Sequence, residues 1–212
     1  MKVKICGIKT ERAACHAVEN GANALGFVFA ESKRQITALQ AKKIIEELPD
    51  YVWKVGVFVN EDASMVKEIA EKAGLTHIQL HGDENPDDFK SIVLPLIKSQ
   101  SVRLHEDLIE VGKIEADYIL LDSPPGKYRG GNGSCFDWEQ ANHYGHLKSN
   151  VILAGGLDPE NVSLAIAKVK PFMVDVSSGV ETNGEKDLQK IKEFINNAKK
   201  SGEEEKNERK YL

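Results

Sequence analysis

Cysteine is scarce in this chain: three among 212 residues, at positions 6, 15 and 135. An odd number with no Cys-x-x-Cys pair argues against a disulfide scaffold and against a zinc site, and no metal is expected. Such usage fits a reduced, cytoplasmic protein. Long apolar runs are missing as well; none approaches the roughly 20 residues that a bilayer span requires. The opening MKVKICGIKT has no extended apolar stretch behind its lysines, so a secretory signal is not expected. Nor is positive charge in excess. With 28 Lys+Arg against 33 Asp+Glu the net charge is -5, whereas a nucleic-acid binder needs a basic face to neutralise phosphates. A GxGxxG first turn, the mark of a dinucleotide-binding open sheet, is also absent.

What the chain does have is rhythm. Short apolar runs recur as VKICGI (3–8), ALGFVF (24–29), WKVGVFV (53–59), HIQLHG (77–82), VLPLIKS (93–99), YILLDS (118–123), VILAGG (151–156) and FMVDVSS (172–178). Most are continuous rather than alternating, as strands buried on both faces of a parallel sheet are. Helical patterns lie between them. Thr10 and Thr37 stand where N-caps belong, Gly21 and Gly74 where helices stop, and Asp158-Pro159 reads as a cap with a first-turn proline. Asp187 to Ala198 sets Leu188, Ile191, Ile195 and Ala198 on one face. Eight strands alternating with helices predict an α/β fold, a single-domain (β/α)8 barrel over residues 1–199. A doubly wound open sheet is the competitor. The fourth unit is thin, with about ten residues between Gly82 and Val93 for a helix. Residues 200–212 read as a charged, disordered C-terminal tail.

A parallel barrel carries its chemistry at the C-terminal ends of its strands, where the loops form the open face. That sorts the candidates. The first run ends in Cys6, the fourth offers Gln79 and His81, and the sixth ends in Asp122. The seventh closes on Gly155-Gly156, and the eighth carries Asp175 before Ser177-Ser178-Gly179. Each glycine cluster alone is compatible with a plain turn. Two of them, after the last two strands, match the place where barrels bind phosphate through backbone N–H groups. A thiol and a carboxyl group facing one mouth make a workable base and acid if their protonation states are set oppositely. The thiol then needs its pKa lowered, and the aspartate needs to stay protonated. The plainer alternatives are that Cys6 is core packing and Asp122 a loop cap.

Other conspicuous residues read as structural. His16, His105, His143 and His146 fall on helical patterns, and His77 and Trp53 begin strands, at the end of the barrel that serves stability. Cys15 suits helix packing, and Asp137, after Cys135 and Phe136, suits a helix cap. The acidic runs at 83–88 and 203–205 suit solvated faces.

KICGI (4–8), GFVF followed by SKRQI (26–29, 32–36), VGVFVN (55–60), IQLHG (78–82), LLD (120–122), GGNGSCFDW (130–138), GGLDPENV (155–162) and DVSSGVE (175–181) follow one another in that order. Together they resemble the phosphoribosylanthranilate isomerase family of tryptophan biosynthesis, over residues 2 to about 199. The resemblance implies that Cys6 is a general base and Asp122 a general acid. It implies that Arg34 holds the anthranilate end of the ligand, and that Gly155, Gly156, Ser177 and Ser178 cradle its phosphate. Gln79, His81 and Asp175 are implied to line the pocket as contacts. The implied reaction is an Amadori rearrangement needing two proton transfers and no cofactor. The implied partner is a small-molecule substrate, with no nucleic acid and no membrane, for a monomer or homodimer. Two alternatives stay open: the aminosugar-phosphate isomerase of histidine biosynthesis, which wants aspartate where this chain has Cys6, and a phosphate-binding barrel without turnover.

Overall fold

Every apolar run becomes a strand in the computed structural model, which describes residues 1–101, 114–122 and 150–208, the last six as backbone alone. The strands are β1 (Lys2–Cys6), β2 (Ala24–Val28), β3 (Trp53–Phe58), β4 (His77–Leu80), β5 (Leu96–Ser101), β6 (Tyr118–Asp122), β7 (Val151–Ala154) and β8 (Met173–Val176). They pair parallel in chain order, and β8 returns to β1, so the sheet closes into the expected eight-stranded barrel. Helices α1 (Glu11–Glu19), α2 (Ala38–Ile45), α3 (Ala63–Ala73), α4 (Val162–Val169) and α5 (Leu188–Glu208) cover its outside. His105, Cys135, His143, His146 and the segment after Asp122 lie outside the described residues.

The helix signals act through local hydrogen bonds. Thr10 Oγ1 accepts from the Ala13 N–H, and Thr37 with Gln40 forms a complete capping box. Gly74 ends α3 in the left-handed conformation that glycine adopts without steric cost. Four expectations change. The strand expected from Val93 starts at Leu96, because Pro95 has no N–H to give a ladder, and Val93 is 98% exposed. Between β4 and β5 stands only a 3-10 turn, Pro86–Phe89, whose buried Phe89 covers the barrel where a helix would. The Asp158-Pro159 signal opens a turn rather than a helix. Asp158 Oδ1 accepts from the Glu160 and Asn161 N–H groups at 2.8 and 2.9 Å, and α4 begins only at Val162. At the C-terminus α5 runs past residue 199 to Glu208, with Ser201 and Gly202 buried.

The strands' period of two splits the core into two layers. Outward-facing Val3, Leu25, Phe27, Ile78 and Leu121 meet the helices. Inward-facing Ala24, Val55, Ile97, Leu120, Ile152 and Met173 fill the barrel. Trp53, Tyr118 and Phe172 pack beneath that filling and close the N-terminal end of the pore.

Candidate active site

Two residues above the inward apolar layer, the same faces turn polar. Cys6 ends β1, Gln79 and His81 rise from β4, Ser99 from β5, Asp122 from β6 and Asp175 from β8. All of these except Ser99 line a cavity of about 390 Å³ at the C-terminal mouth. All ten sequence candidates line it: these five apart from Ser99, with Arg34 from the loop after β2, Gly155 and Gly156 after β7, and Ser177 and Ser178 after β8.

Cys6 sits in register with Gly26 of β2, and the pairing has a steric reason. A Cβ at position 26 would lie 2.7 Å from the Cys6 sulfur, so glycine leaves the thiol its place. Burial pushes the thiol above its ordinary pKa; the Lys4 and Lys186 ammonium groups pull the other way without overcoming it, and Asp175 adds to the rise. The expected lowering is therefore not met. Desolvation of a thiolate outweighs its two cations.

Lys4 lies two residues below Cys6 on the same inward face and is completely buried. Its Nζ donates to Asp175 Oδ2 at 3.0 Å. Burial alone would lower the Lys4 pKa; Asp175 and, to a lesser extent, Cys6 together outweigh it and raise the ammonium's pKa. The other carboxylate oxygen, Asp175 Oδ1, is buried and has no hydrogen-bond partner among the described residues. Gln79 Oε1 is in the same condition, while Gln79 Nε2 donates to Ser99 Oγ at 3.2 Å. Buried acceptors left open at a cavity wall suit a ligand that brings donors such as hydroxyl or amine groups. Ser99 also fixes His81, whose Nδ1 lies 2.8 Å from the hydroxyl and whose Nε2 faces Asp122 Oδ2 at 3.4 Å.

Arg34 is gripped from behind. Its Nε and Nη2 donate to the two carboxylate oxygens of Glu181 at 2.7 and 2.8 Å. Lys186 Nζ donates to the same Glu181 Oε1 at 2.7 Å and to the Ser177 carbonyl at 2.9 Å. Glu181 and Lys186 face each other across a short hairpin of β9 (Glu181–Thr182) and β10 (Glu185–Lys186). Burial pushes the Glu181 carboxyl up, but the Arg34 and Lys186 hydrogen bonds hold it below its usual range.

In the loops after β7 and β8, Gly155 and Gly156 take φ of 80° and 64°, conformations that favour glycine. Gly179 allows the two loops to touch, since a Cβ there would meet the Leu157 carbonyl oxygen at 1.9 Å. One acidic residue expected on a solvated face is inside. The Glu84 side chain is 4% exposed, accepts from the Gly82 N–H at 2.9 Å and pairs with Lys98 at 3.6 Å. Lys4, Gly26, Ser99, Glu181 and Lys186 escaped the sequence reading. Lys4 alone had a legible signal, a lysine at strand spacing from Cys6 inside an apolar run.

A thiol beside cations, a carboxyl group beside an imidazole, open acceptors and an anchored guanidinium suit proton transfers on a polyhydroxylated anionic ligand. The model of the N-(5'-phosphoribosyl)anthranilate isomerase family matches residues 3–197. The chain belongs to that family. It is 54% identical over 200 residues to N-(5'-phosphoribosyl)anthranilate isomerase of Bacillus mycoides, covering 94% of this chain and 98% of the relative. The solved phosphoribosyl anthranilate isomerase of Thermotoga maritima superposes with a TM-score of 0.84 at 43% identity, covering 94% of this chain and 99% of the other. A further phosphoribosyl anthranilate isomerase structure, in complex with reduced 1-(o-carboxyphenylamino)-1-deoxyribulose 5-phosphate, matches with the same TM-score at 41% identity and the same coverage. In isomerase terms, the ten candidates occupy the mouth at which a barrel does its chemistry.

Proposed function

We propose that this chain catalyses the Amadori rearrangement of N-(5'-phosphoribosyl)anthranilate to 1-(2-carboxyphenylamino)-1-deoxyribulose 5-phosphate, with Asp122 as general acid and Cys6 as general base. The observation that carries the reading is that these two groups, from β6 and β1, line one cavity with an arginine and two glycine-rich loops. Asp122 protonates the furanose ring oxygen, and the ring opens to a cationic Schiff base. Cys6, as thiolate, removes the C2 proton to give an enolamine, which tautomerises to the ketone. The aminoaldose nitrogen is the electron sink, so the chemistry calls for no cofactor.

The raised thiol pKa fits this sequence of steps. Ring opening places a positive iminium beside C2, which adds to Lys4 and Lys186 and favours the thiolate when it is needed. Arg34 holds the anthranilate carboxylate, for which a planar guanidinium is the geometric match. Gly155, Gly156, Ser177 and Ser178 hold the phosphate, and the open acceptors on Asp175 and Gln79 take ligand donors. Fixing both ends of the ligand presents its reacting carbons to the acid and the base. A free thiol base is most readily kept reduced in the cytoplasm, which supports that compartment as the place of work; a similar barrel from Thermotoga maritima comes from a dimeric enzyme, and this chain acts as a monomer or homodimer.

The direct test is the fall of phosphoribosylanthranilate fluorescence on adding purified protein. Turnover is the expected result, and a flat trace at substrate saturation ends the proposal.

A further inference from the structure

Arg34 lines the cavity, but Glu181, which holds its guanidinium, does not. Glu181 and Lys186 instead line a separate space of about 40 Å³ on the other side of the arginine, together with Gly7, Lys9 and Thr10. Two of the three guanidinium nitrogens are committed to Glu181 in a side-on, two-bond pair, which leaves Nη1 as the nitrogen without a bond to that carboxylate. The arginine stem is also backed on one side by the chain. A Cβ on Gly7 would fall 2.6 Å from Arg34 Cδ, so the stem lies directly on the Gly7 backbone. The Glu181 side chain is 9% exposed, and Lys186, at 7%, anchors it from the hairpin.

From this arrangement we infer that Glu181 is a positioning residue for ligand selection: it fixes Arg34 so that one edge of the guanidinium faces the cavity and accepts a planar aryl carboxylate. The inference rests on the reading of Arg34 as the carboxylate anchor. Were Glu181 a competitor for Arg34, its carboxylate would stand in the cavity and have to leave before a ligand bound. It stands behind the arginine, so ligand and Glu181 hold different edges of one guanidinium. A free arginine would have to order its long side chain at each binding event, and the carboxylate backing removes that entropic cost beforehand.

Charge and position make opposite predictions here, which gives the test its edge. Removing a negative charge beside an anion site strengthens anion binding if charge is all that matters. Removing a positioning carboxylate weakens it. The experiment uses the full-length protein carrying Glu181→Gln, Glu181→Asp, Arg34→Ala, or Arg34→Ala with Glu181→Gln. Inhibition constants are measured for reduced 1-(o-carboxyphenylamino)-1-deoxyribulose 5-phosphate and for its phenylamino counterpart without the carboxylate. Glu181→Gln is expected to weaken the carboxylated inhibitor by about tenfold, to leave the counterpart nearly unchanged, and to raise KM more than it lowers kcat. Glu181→Asp, which keeps the charge and withdraws it by one methylene, should show the same selectivity loss. In the Arg34→Ala background Glu181→Gln should add nothing. Tighter binding of the carboxylated inhibitor to Glu181→Gln, or equal weakening of both inhibitors, overturns the inference. If Arg34→Ala itself fails to distinguish the two inhibitors, it is the assignment of Arg34 that falls, and the role of Glu181 with it.

Discussion

The two ends of this barrel are made by the same strands and obey opposite rules. At the N-terminal end, inward positions carry Trp53, His77 and Tyr118, with Phe172 just ahead of β8. Trp53 and His77 stack at 3.9 Å between ring centroids, Tyr118 and Phe172 stack at 5.3 Å, and Lys2 caps the Phe172 face at 4.2 Å. At the C-terminal end, four positions on along the same strands, stand His81 and Asp122, and Cys6 occupies the matching height on β1. One end satisfies itself with rings against rings. The other leaves Asp175 Oδ1 and Gln79 Oε1 without partners among the described residues and keeps a cation buried under a thiol. The lesson is that stability and chemistry are separated along the barrel axis by the layer of Val55, Ile97, Leu120 and Ile152 between them. Substitutions at one end should therefore leave the other's property nearly untouched.

The largest effect belongs to the mouth. Cys6→Ser and Asp122→Asn are each expected to lower kcat by about 10²–10⁴-fold while thermal unfolding stays within a few degrees of the unaltered protein. Near-normal turnover in either variant would remove that residue from its role. At the opposite end Trp53→Ala should cost about 3 kcal/mol of stability, seen in denaturant unfolding, with kcat preserved. A parallel loss of kcat would show that the middle layer does not insulate.

The third way to sharpen the contrast is pH. Burial lowers the His77 pKa from 6.5 to about 4, so the folded state resists a proton that the unfolded chain binds below pH 6.5. The unfolded state holds more protons in that window, so stability rises with pH there and falls on acidification from about 6.5 towards 4. A shift of that size corresponds to about 3 kcal/mol, and solvent screening of a ring that is not fully enclosed brings the expected loss to about 2 kcal/mol. His77→Phe, which keeps a ring against Trp53 and cannot titrate, should flatten that slope; an unchanged slope assigns it to other groups. The smallest effect comes from Gly26→Ala. The new methyl would crowd the Cys6 sulfur at 2.7 Å and should reduce kcat about tenfold through misplacement of the base, with little change in unfolding. Undiminished turnover would mean that the sulfur's position is not critical.

How far the sequence alone reaches differs between these ends as well. Strand positions were legible because parallel strands buried on both sides write continuous apolar runs. Nine of the ten mouth residues were legible because polar or glycine residues stand at or near the ends of those runs, where a barrel opens; Arg34, in the loop after β2, was legible only through the family resemblance. The aromatic plug was legible only as packing, since Trp53 or His77 at the head of a strand does not reveal that the rings will stack across the pore. Glu84 was misjudged because an acidic run looks solvated until Lys98, a strand away, turns in to meet it. Ser99 and Gly26 carry no signal in their own segments; one matters for a hydrogen bond to His81, the other for an absent methyl beside Cys6.

The amino-acid sequence by itself determined the alternation of strand and helix, the number of units and the cluster of residues at strand ends, whereas closure waited on the pairing of β8 with β1. Those follow from periodicity, capping and turn chemistry, which act over a few residues. Only the tertiary structure decided that burial raises the pKa of the thiol, that Lys4 serves Asp175, and that Arg34 rests on Glu181. Each is a balance between desolvation and a charge supplied from a distant segment, and neither quantity exists until the chain has closed around the site.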